Sequence, residues 1–327
     1  MTGAVGRLEQ GDFFVCDFFG AVPKHDLASM EHPLFSLSTR PDRRILNYAH
    51  NGVSVTITPS VKGRATIFDA DILIFCISQL MAALNAGRPT ARRLTLTAHD
   101  LLLATGRDSS GDSYRRLRDA FERLAGTRIT TNIVTGAEET TTGFGLIESW
   151  EIVRKTRGGR MVSVAVTLSH WLYQAVLAKS VLTLNRDYFT LRKPLERRLY
   201  ELARKHCGRQ PEWRVSVDTL LKKSGSGSPR RVFRAMLRDI IAKGHMPDYT
   251  FEEGQDDIIV VRPQRLVEAA DPAPHLSAET LDEARRLAPG ADIYALEAQW
   301  RSVWARSGRR ALHSPDKAFL GWVRKHG

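Results

Sequence analysis

The sequence is poor in cysteine and has no long apolar run. Its three cysteines, Cys16, Cys76 and Cys207, are far apart, and none belongs to a CxxC pair. This spacing argues against a disulfide framework or a zinc site and is typical of a reducing compartment. The strongest apolar run, residues 72–84, is shorter than the roughly 20 residues that span a bilayer. Because residues 1–14 also lack the charged-then-apolar order of a secretory signal, we expect a cytoplasmic protein.

The usual catalytic and cofactor motifs are missing as well. The sequence contains no GxxxxGK[ST] loop for a nucleotide phosphate and no HxH pair of the kind that holds a metal ion. A strand-nicking enzyme would need a nucleophile such as Tyr173 or Tyr188, but the ten histidines are scattered and form no metal-ligand cluster around either tyrosine. We therefore expect a non-enzymatic protein with no cofactor and no bound metal.

Positive charge is in excess along the chain. The 327 residues include 48 lysines and arginines against 36 acidic residues, which gives a net charge of +12 and a pI of about 9.9. Such a balance fits a polyanionic partner, although a generally basic soluble protein would show it too. The hydrophobic content of 43% suits a globular fold, and the length allows two ordinary domains and an appendage.

One sequence pattern occurs twice at a constant offset. Leu94–Gly106 and Trp213–Gly225 match position by position, and each is followed by an arginine-rich segment. Each copy reads as a helix, a glycine-containing turn and a second helix, which is how a helix-turn-helix presents a recognition helix to DNA. Two copies predict one molecule that reads two adjacent stretches of duplex. The matched pairs include Thr97 with Ser216, Leu101 with Leu220, Gly106 with Gly225, Tyr114 with Phe233 and Arg115 with Arg234.

The order of elements predicts an α+β fold with two tandem winged-helix domains and a small helical C-terminal unit. A core helix should begin at Asp69 or Asp71, and an apolar helix should cover residues 171–182. The expected domains are an irregular N-terminal segment that packs on the first domain (1–65), two winged-helix domains (66–190 and 191–263), a linker (264–276) and a helical module (277–327).

Strands after each recognition helix are expected to form the wings. In the first domain a glycine- and threonine-rich turn with Glu138 and Glu139 should join the two wing strands, and a basic turn over residues 155–160 precedes a further strand. The strands are predicted at residues 128–134, 144–153 and 161–168 in the first domain, and at 249–251 and 258–261 in the second.

The second recognition helix carries the clearest candidates for DNA contacts. At about 100° per residue, its arginines fall on one flank of an apolar stripe centred on Phe233 and Leu237. Guanidinium groups placed in this way can clamp phosphates and contact guanine edges, although a solvated basic face would show the same pattern. Our candidate DNA contacts in both domains are Arg115, Arg116, Arg118, Lys155, Arg157, Arg160, Lys222, Lys223, Ser228, Arg230, Arg231, Arg234 and Arg238.

Two other regions leave alternatives open. Asp112, Asp119 and Glu122 dilute the positive charge of the first recognition helix, which could contact either DNA or another protein. In the C-terminal unit, tryptophans such as Trp300 and Trp304 alternate with basic residues. They could stack on unpaired bases, or they could form the core of a three-helix unit. A separate module on a linker indicates a second partner.

Several long stretches of the sequence are distinctive, and they include Ala28–Ser38, Pro41–Arg44, Ile57–Gly63, Leu124–Asn132, Gly143–Ile147, Ser149–Lys155 and Leu191–Gly208. These stretches resemble the replication initiator protein A family of bacterial plasmids. The resemblance covers about residues 8–263 and implies a protein that binds plasmid origin DNA at short direct repeats, called iterons. It also implies help in melting an adjacent AT-rich segment and recruitment of the host initiator ATPase and replicative helicase.

The same resemblance leaves a competing function and an open assembly state. A transcriptional repressor would bind DNA in the same way, and many similar initiators repress their own promoter as dimers. The C-terminal module favours the initiator, since a repressor has no need to hand DNA to a replication machinery. A homodimer would use either the aromatic cluster at residues 13–19 or the apolar helix predicted at residues 171–182.

Overall fold

The computed structural model divides the chain into two compact units, residues 1–264 and 265–327. Within the described residues no helix is both long and apolar enough to cross a membrane. The structure describes residues 14–16, 21–50, 53–107, 111–135, 138–154, 161–208, 210–264, 276–288, 293–306, 312 and 314–326.

Helices and strands alternate along the first unit, and the second unit is helical. The helices are α1 (Leu27–Glu31), α2 (Ala70–Asn85), α3 (Ala98–Ala104), α4 (Gly111–Gly126), α5 (His170–Leu177), α6 (Pro194–His206), α7 (Val217–Ser224), α8 (Arg230–Lys243), α9 (Ala278–Leu287), α10 (Ile293–Arg306) and α11 (Pro315–His326). The strands are β1 (Phe14–Val15), β2 (Lys24–Asp26), β3 (Leu46–His50), β4 (Val53–Thr58), β5 (Arg93–Leu96), β6 (Arg128–Thr135), β7 (Glu138–Gly145), β8 (Ile147–Arg154), β9 (Met161–Leu168), β10 (Val181–Thr183), β11 (Trp213–Ser216), β12 (Tyr249–Glu253) and β13 (Ile258–Pro263).

The internal repeat of the sequence is also a repeat of topology. Strand β5 leads into α3 and α4 and pairs with β9, which pairs with β8. Strand β11 leads into α7 and α8 and pairs with β13, which pairs with β12. Each half therefore consists of one strand, two helices and a hairpin whose second strand returns to the first strand of the half. All these pairings are antiparallel.

Equivalent residues begin and end the first helix of each half. The hydroxyl of Thr97 accepts a hydrogen bond from the backbone N–H of Asp100, and the hydroxyl of Ser216 accepts one from Thr219. After each helix a glycine adopts a left-handed conformation, with φ of 66° at Gly106 and 68° at Gly225. Only glycine takes this conformation without steric cost. The matched sequence positions thus hold matched local geometry.

The hairpin predicted after α4 is wrong in its pairing. The stretch expected to be a turn, with Glu138 and Glu139, is strand β7, which pairs with β6; β6 in turn pairs with β4. Threonines at residues 140–142 favour an extended backbone, so the stretch continues the sheet. Strand β8 belongs to the other sheet, beside β9. The β6–β7 hairpin is therefore an insertion in the first half, and the counterpart of β12–β13 is β8–β9.

Two smaller expectations also need correction. The apolar helix predicted over residues 171–182 ends at Leu177, and Val181–Thr183 forms strand β10 against β2. Asp69 stands at the N-cap position of α2 but makes no side-chain cap bond to it, and Asp71 lies within the first turn. Both carboxylates are used by arginines from elsewhere in the fold.

Two hydrophobic cores hold the first unit together. Helix α2 is buried along most of its length in the first core, beneath the two four-stranded sheets and α4. The second core surrounds α6 and the inner face of α8, and it also receives Met30 from α1. Of the N-terminal aromatic cluster, Phe14 lies in the first core at 5% exposure; Phe13, Phe18 and Phe19 lie outside the described residues.

The C-terminal unit is a bundle of three short helices. Its helices coincide closely with those that the sequence predicts, and Trp300 and Phe319 meet at its centre with ring centroids 5.4 Å apart. Trp300 is 5% exposed and Trp304 is partly buried. Trp300 therefore serves the core rather than an exposed stacking surface.

Candidate nucleic-acid interface

Helix α8 buries one face and presents arginines on the other. Phe233, Leu237 and Ile240 are at most 3% exposed, which confirms the predicted apolar stripe. The guanidinium of Arg231 is exposed, and no carboxylate of the described residues pairs with it. The side chain of Arg238 is 59% exposed and that of Arg234 is 27% exposed. The helix thus offers a cationic outer flank, as expected from its periodicity.

A carboxylate of the neighbouring hairpin holds two of these arginines. Glu253, at the end of β12, accepts hydrogen bonds from Arg234 Nη2 at 2.8 Å and from Arg238 Nε at 2.7 Å. These bonds, with that of Arg238 the stronger influence, lower the pKa of Glu253 to about 2. The carboxylate therefore stays ionised and paired until the pH falls through about 2. The sequence shows an acidic turn here but does not reveal which helix faces it.

The start of α8 is arranged in a similar way. Arg230 Nε donates to Asp218 Oδ1 at 2.6 Å, and the same guanidinium pairs with Asp257 in the β12–β13 turn. Asp257 also pairs with Arg234. Ser228, in the preceding turn, is partly buried and donates its backbone N–H to Ser226 Oγ. Arg230 and Arg234 are therefore held at this end of the helix by carboxylates from α7 and from the β12–β13 turn.

The two lysines at the end of α7 differ in accessibility. Lys222 is exposed to solvent. Lys223 is 5% exposed, its ammonium pairs with Glu31 of α1, and its carbonyl accepts hydrogen bonds from Arg198. A buried and paired ammonium cannot reach a phosphate, so Lys223 is removed from the predicted set. The sequence could not show this, since Glu31 lies far away along the chain.

Helix α4 presents its cations beside its own carboxylates. Its inner residues Leu117 and Phe121 are fully buried. Arg115 and Arg116 both pair with Asp112, and Arg118 Nε lies 3.3 Å from Glu122 Oε1. All three arginine side chains are more than half exposed, so they remain accessible from solvent. All three of these arginines are thus paired, whereas α8 keeps Arg231 without a carboxylate partner among the described residues.

Three of the predicted DNA contacts lie outside the described residues. They are Lys155, Arg157 and Arg160, which fall between β8 and β9 in the sequence. In the described part of the chain, no group of three or more histidine, cysteine or acidic side chains is placed to hold a metal ion.

Comparisons with known proteins place this arrangement among replication proteins. A family model described as "Replication initiator protein A" matches residues 24–251. A protein of Wigglesworthia glossinidia brevipalpis named "Putative replication protein" is 38% identical over 242 residues, which cover 73% of this chain and 88% of that protein. A crystal structure of domains 2 and 3 of RctB aligns with a TM-score of 0.54 at 12% identity, over 72% of this chain and 98% of that one. At this identity the structural likeness concerns the fold alone.

Proposed function

Since the chain belongs to the replication initiator protein A family, we propose that it binds origin DNA through both halves of its first unit, each acting as a winged helix. The observation that carries this proposal is the repeated topology, with β5, α3, α4 and the β8–β9 hairpin matching β11, α7, α8 and the β12–β13 hairpin. In this arrangement α4 and α8 are the recognition helices and the two hairpins are the wings.

The proposed DNA contacts are the predicted residues of both halves other than the buried Lys223. On the second half they are Lys222, Ser228, Arg230, Arg231, Arg234 and Arg238. On the first half they are Arg115, Arg116 and Arg118, together with Lys155, Arg157 and Arg160, which lie outside the described residues. Two recognition helices in one molecule suit directly repeated sites, so iterons are the proposed target. The protein would act there without catalysis of its own, and a Mg²⁺-dependent nick in supercoiled origin DNA would contradict that part.

The C-terminal unit is proposed to contact the host replication machinery, namely its initiator ATPase or replicative helicase. It forms its own core and is separate from the unit that carries both recognition helices. A chain that ends after Gln264 should therefore bind the origin normally but fail to replicate a plasmid. Normal replication by the truncated chain would refute this assignment.

Protection of the origin DNA from cleavage tests the proposed function directly. At physiological salt we expect a ladder of protected direct repeats, spaced by about one or two helical turns of roughly 10.5 bp. A single protected inverted repeat at a promoter would instead support a transcriptional repressor. Equal protection of origin and random DNA would contradict sequence-specific binding altogether.

Loss of single arginines from α8 should weaken origin binding. We expect Arg231→Ala or Arg238→Ala to lower the affinity for an origin repeat roughly tenfold to hundredfold. A base contact would also relax sequence preference, whereas a phosphate contact would only flatten the salt dependence. Fluorescence anisotropy with labelled duplexes measures both quantities. As a control, Arg285→Ala removes an exposed, ion-paired arginine from α9 and should leave origin binding unchanged. Wild-type affinity in both α8 variants would show that the arginine flank of α8 does not face DNA.

Neutralising Glu253 should raise the affinity for DNA, which is the opposite of the effect of removing an arginine. Glu253→Gln frees Arg234 and Arg238 from their shared carboxylate, so the affinity for random duplex should rise severalfold. The slope of log affinity against log salt should steepen by about one, because one more phosphate charge is neutralised. The ratio of origin to random affinity should fall, since the two guanidiniums lose the group that orients them. An unchanged ratio would mean that Glu253 does not orient the arginines for reading.

A further inference from the structure

A second basic surface lies between the two recognition helices and belongs to neither. It consists of residues 39–44 and 60–63, which we name the loop pair. On one side it meets α4: Lys62 Nζ lies 3.2 Å from Asp119 Oδ1 and 2.7 Å from Glu122 Oε2. Arg40 and Lys62 also line the same cavity of about 700 Å³ as Arg116. The loop pair thus extends the outer face of the first recognition helix.

On its other side the loop pair reaches the second helix-turn-helix. The guanidinium of Arg44 packs against Gly227 in the turn between α7 and α8, so closely that a Cβ atom on Gly227 would lie 2.4 Å from Arg44 Nη1. Leu46, just beyond the loop pair, lies close to Gly225 of the same turn. The surface is therefore continuous from α4 to the start of α8.

Hydrogen bonds hold the two loops in one conformation. Arg43 Nε donates to the carbonyl of Val61 at 3.0 Å, and the backbone N–H of Arg64 donates to the carbonyl of Asp42 at 2.8 Å. Gly63, with φ of 94°, closes a tight turn against the carbonyl of Ser60. The cations of the loop pair are thus carried by an ordered backbone, which reduces the entropy that a ligand would have to remove.

Part of the positive charge of the loop pair has no acidic partner among the described residues. Its one carboxylate, Asp42, is shared by Arg44 and the buried Arg64, and mainly the hydrogen bonds from Arg44 lower the pKa of Asp42 to about 2. Arg40 and Arg43 are exposed, and no carboxylate among the described residues pairs with either. Beneath them, Arg64 is 2% exposed, and its Nε and Nη1 have no acceptor within the described structure. Arg40 and Arg43 therefore place two positive charges, which no described carboxylate offsets, between the two recognition helices.

We propose that the loop pair is a third DNA contact, which binds the phosphate backbone between the stretches read by α4 and α8. Exposed, delocalised guanidiniums on a fixed backbone suit phosphate oxygens, and the position is where a duplex that touches both helices would pass. The proposal rests on the proposed function, since it requires DNA on both helices. It adds a contact that positions the duplex and carries no sequence information.

The test is the salt dependence of binding to a duplex with two adjacent origin repeats. For Arg40→Ala/Arg43→Ala we expect roughly tenfold or greater loss of affinity, and a slope of log affinity against log salt that is flatter by about two. The ratio of origin to random affinity should not change. Arg40→Lys/Arg43→Lys keeps both charges but removes the hydrogen bond from Arg43 Nε to the carbonyl of Val61. This variant should keep most of the slope if the two arginines bind phosphate, and it should lose the slope if Arg43 acts mainly by fixing the loops.

A second double variant controls for general loss of charge. Lys179→Gln/Arg286→Gln removes two exposed cations, one just after α5 and one on α9. Its slope of log affinity against log salt should stay near that of the wild type. An alanine double variant with wild-type slope and affinity would overturn the proposal, as would an equal flattening in the control. If the wild type itself shows no preference for origin DNA, the proposed function fails; preference with an unchanged slope refutes only the loop pair.

Discussion

Replacing Asp71 with alanine is expected to lower the free energy of unfolding by about 3–5 kcal/mol. Asp71 lies on α2 at 1% exposure, and its Oδ1 accepts a hydrogen bond of 2.6 Å from Arg197 Nη1 of α6. Arg107 donates to the other carboxylate oxygen at 3.0 Å. Arg197 is itself 3% exposed and lies over the rings of Phe68 and Tyr188. Without the carboxylate a guanidinium stays buried with no counter-charge, which costs far more than a lost surface pair.

Urea denaturation of matched variants tests this expectation. Asp71→Leu/Arg197→Met removes both charges and should recover most of the lost stability, because an apolar pair avoids the cost of burying ions. Asp282→Ala breaks an exposed pair with Arg285 and should leave the unfolding midpoint nearly unchanged. A loss below about 1 kcal/mol in Asp71→Ala would show that Arg197 is solvated despite its position.

Alanine at Gly225 should destabilise the protein by about 2–5 kcal/mol. Gly225 has φ of 68°, and a left-handed conformation costs other residues roughly 1–2 kcal/mol. In addition, a Cβ atom there would lie 2.6 Å from Cβ of Pro33, and relieving such overpacking costs about 1–3 kcal/mol. Both effects fall on the turn between α7 and α8, so the start of the second recognition helix should move.

The first half of the chain provides the matched control for this variant. Gly106 is the equivalent glycine, with φ of 66°. A Cβ atom added there would have Cβ of Phe189 as its nearest neighbour, at 3.9 Å. Gly106→Ala should therefore cost only the conformational part, about 1–2 kcal/mol. The difference between the two variants in urea denaturation measures the contact with Pro33. If the two variants lost the same free energy of unfolding, the segment around Pro33 would be able to move away from the new Cβ atom without an energetic penalty.

Both predictions concern how the two halves are held together. The ion pair of Asp71 and Arg197 joins α2 of the first core to α6 of the second. Pro33, in the N-terminal segment, packs against Gly225 in the turn of the second helix-turn-helix. If both recognition helices bind DNA as proposed, these contacts set the separation between the two stretches of duplex that are read. The spacing of the repeats at the origin would then follow from packing inside the protein.

Much of this structure could be predicted from the sequence, because many of its features depend on residues that are close along the chain. The features predicted in this way include the repeat, its turn glycines and the apolar stripe of α8. The family could also be inferred, because long stretches of sequence carry the resemblance. Helices with clear periodicity, including all three of the C-terminal unit, have nearly the predicted bounds.

Tertiary structure decided what depends on partners that are distant in sequence. The stretch that forms β7 was expected to be a turn, and it is a strand because β6 offers it the edge of a sheet with which it can pair. Lys223 is buried because Glu31, 192 residues away, supplies its counter-charge, and Glu253 reaches Arg234 and Arg238 only once β12 folds beside α8. Pairing between strands and between charges is set by which segments meet in space, and no periodicity within a segment encodes that meeting.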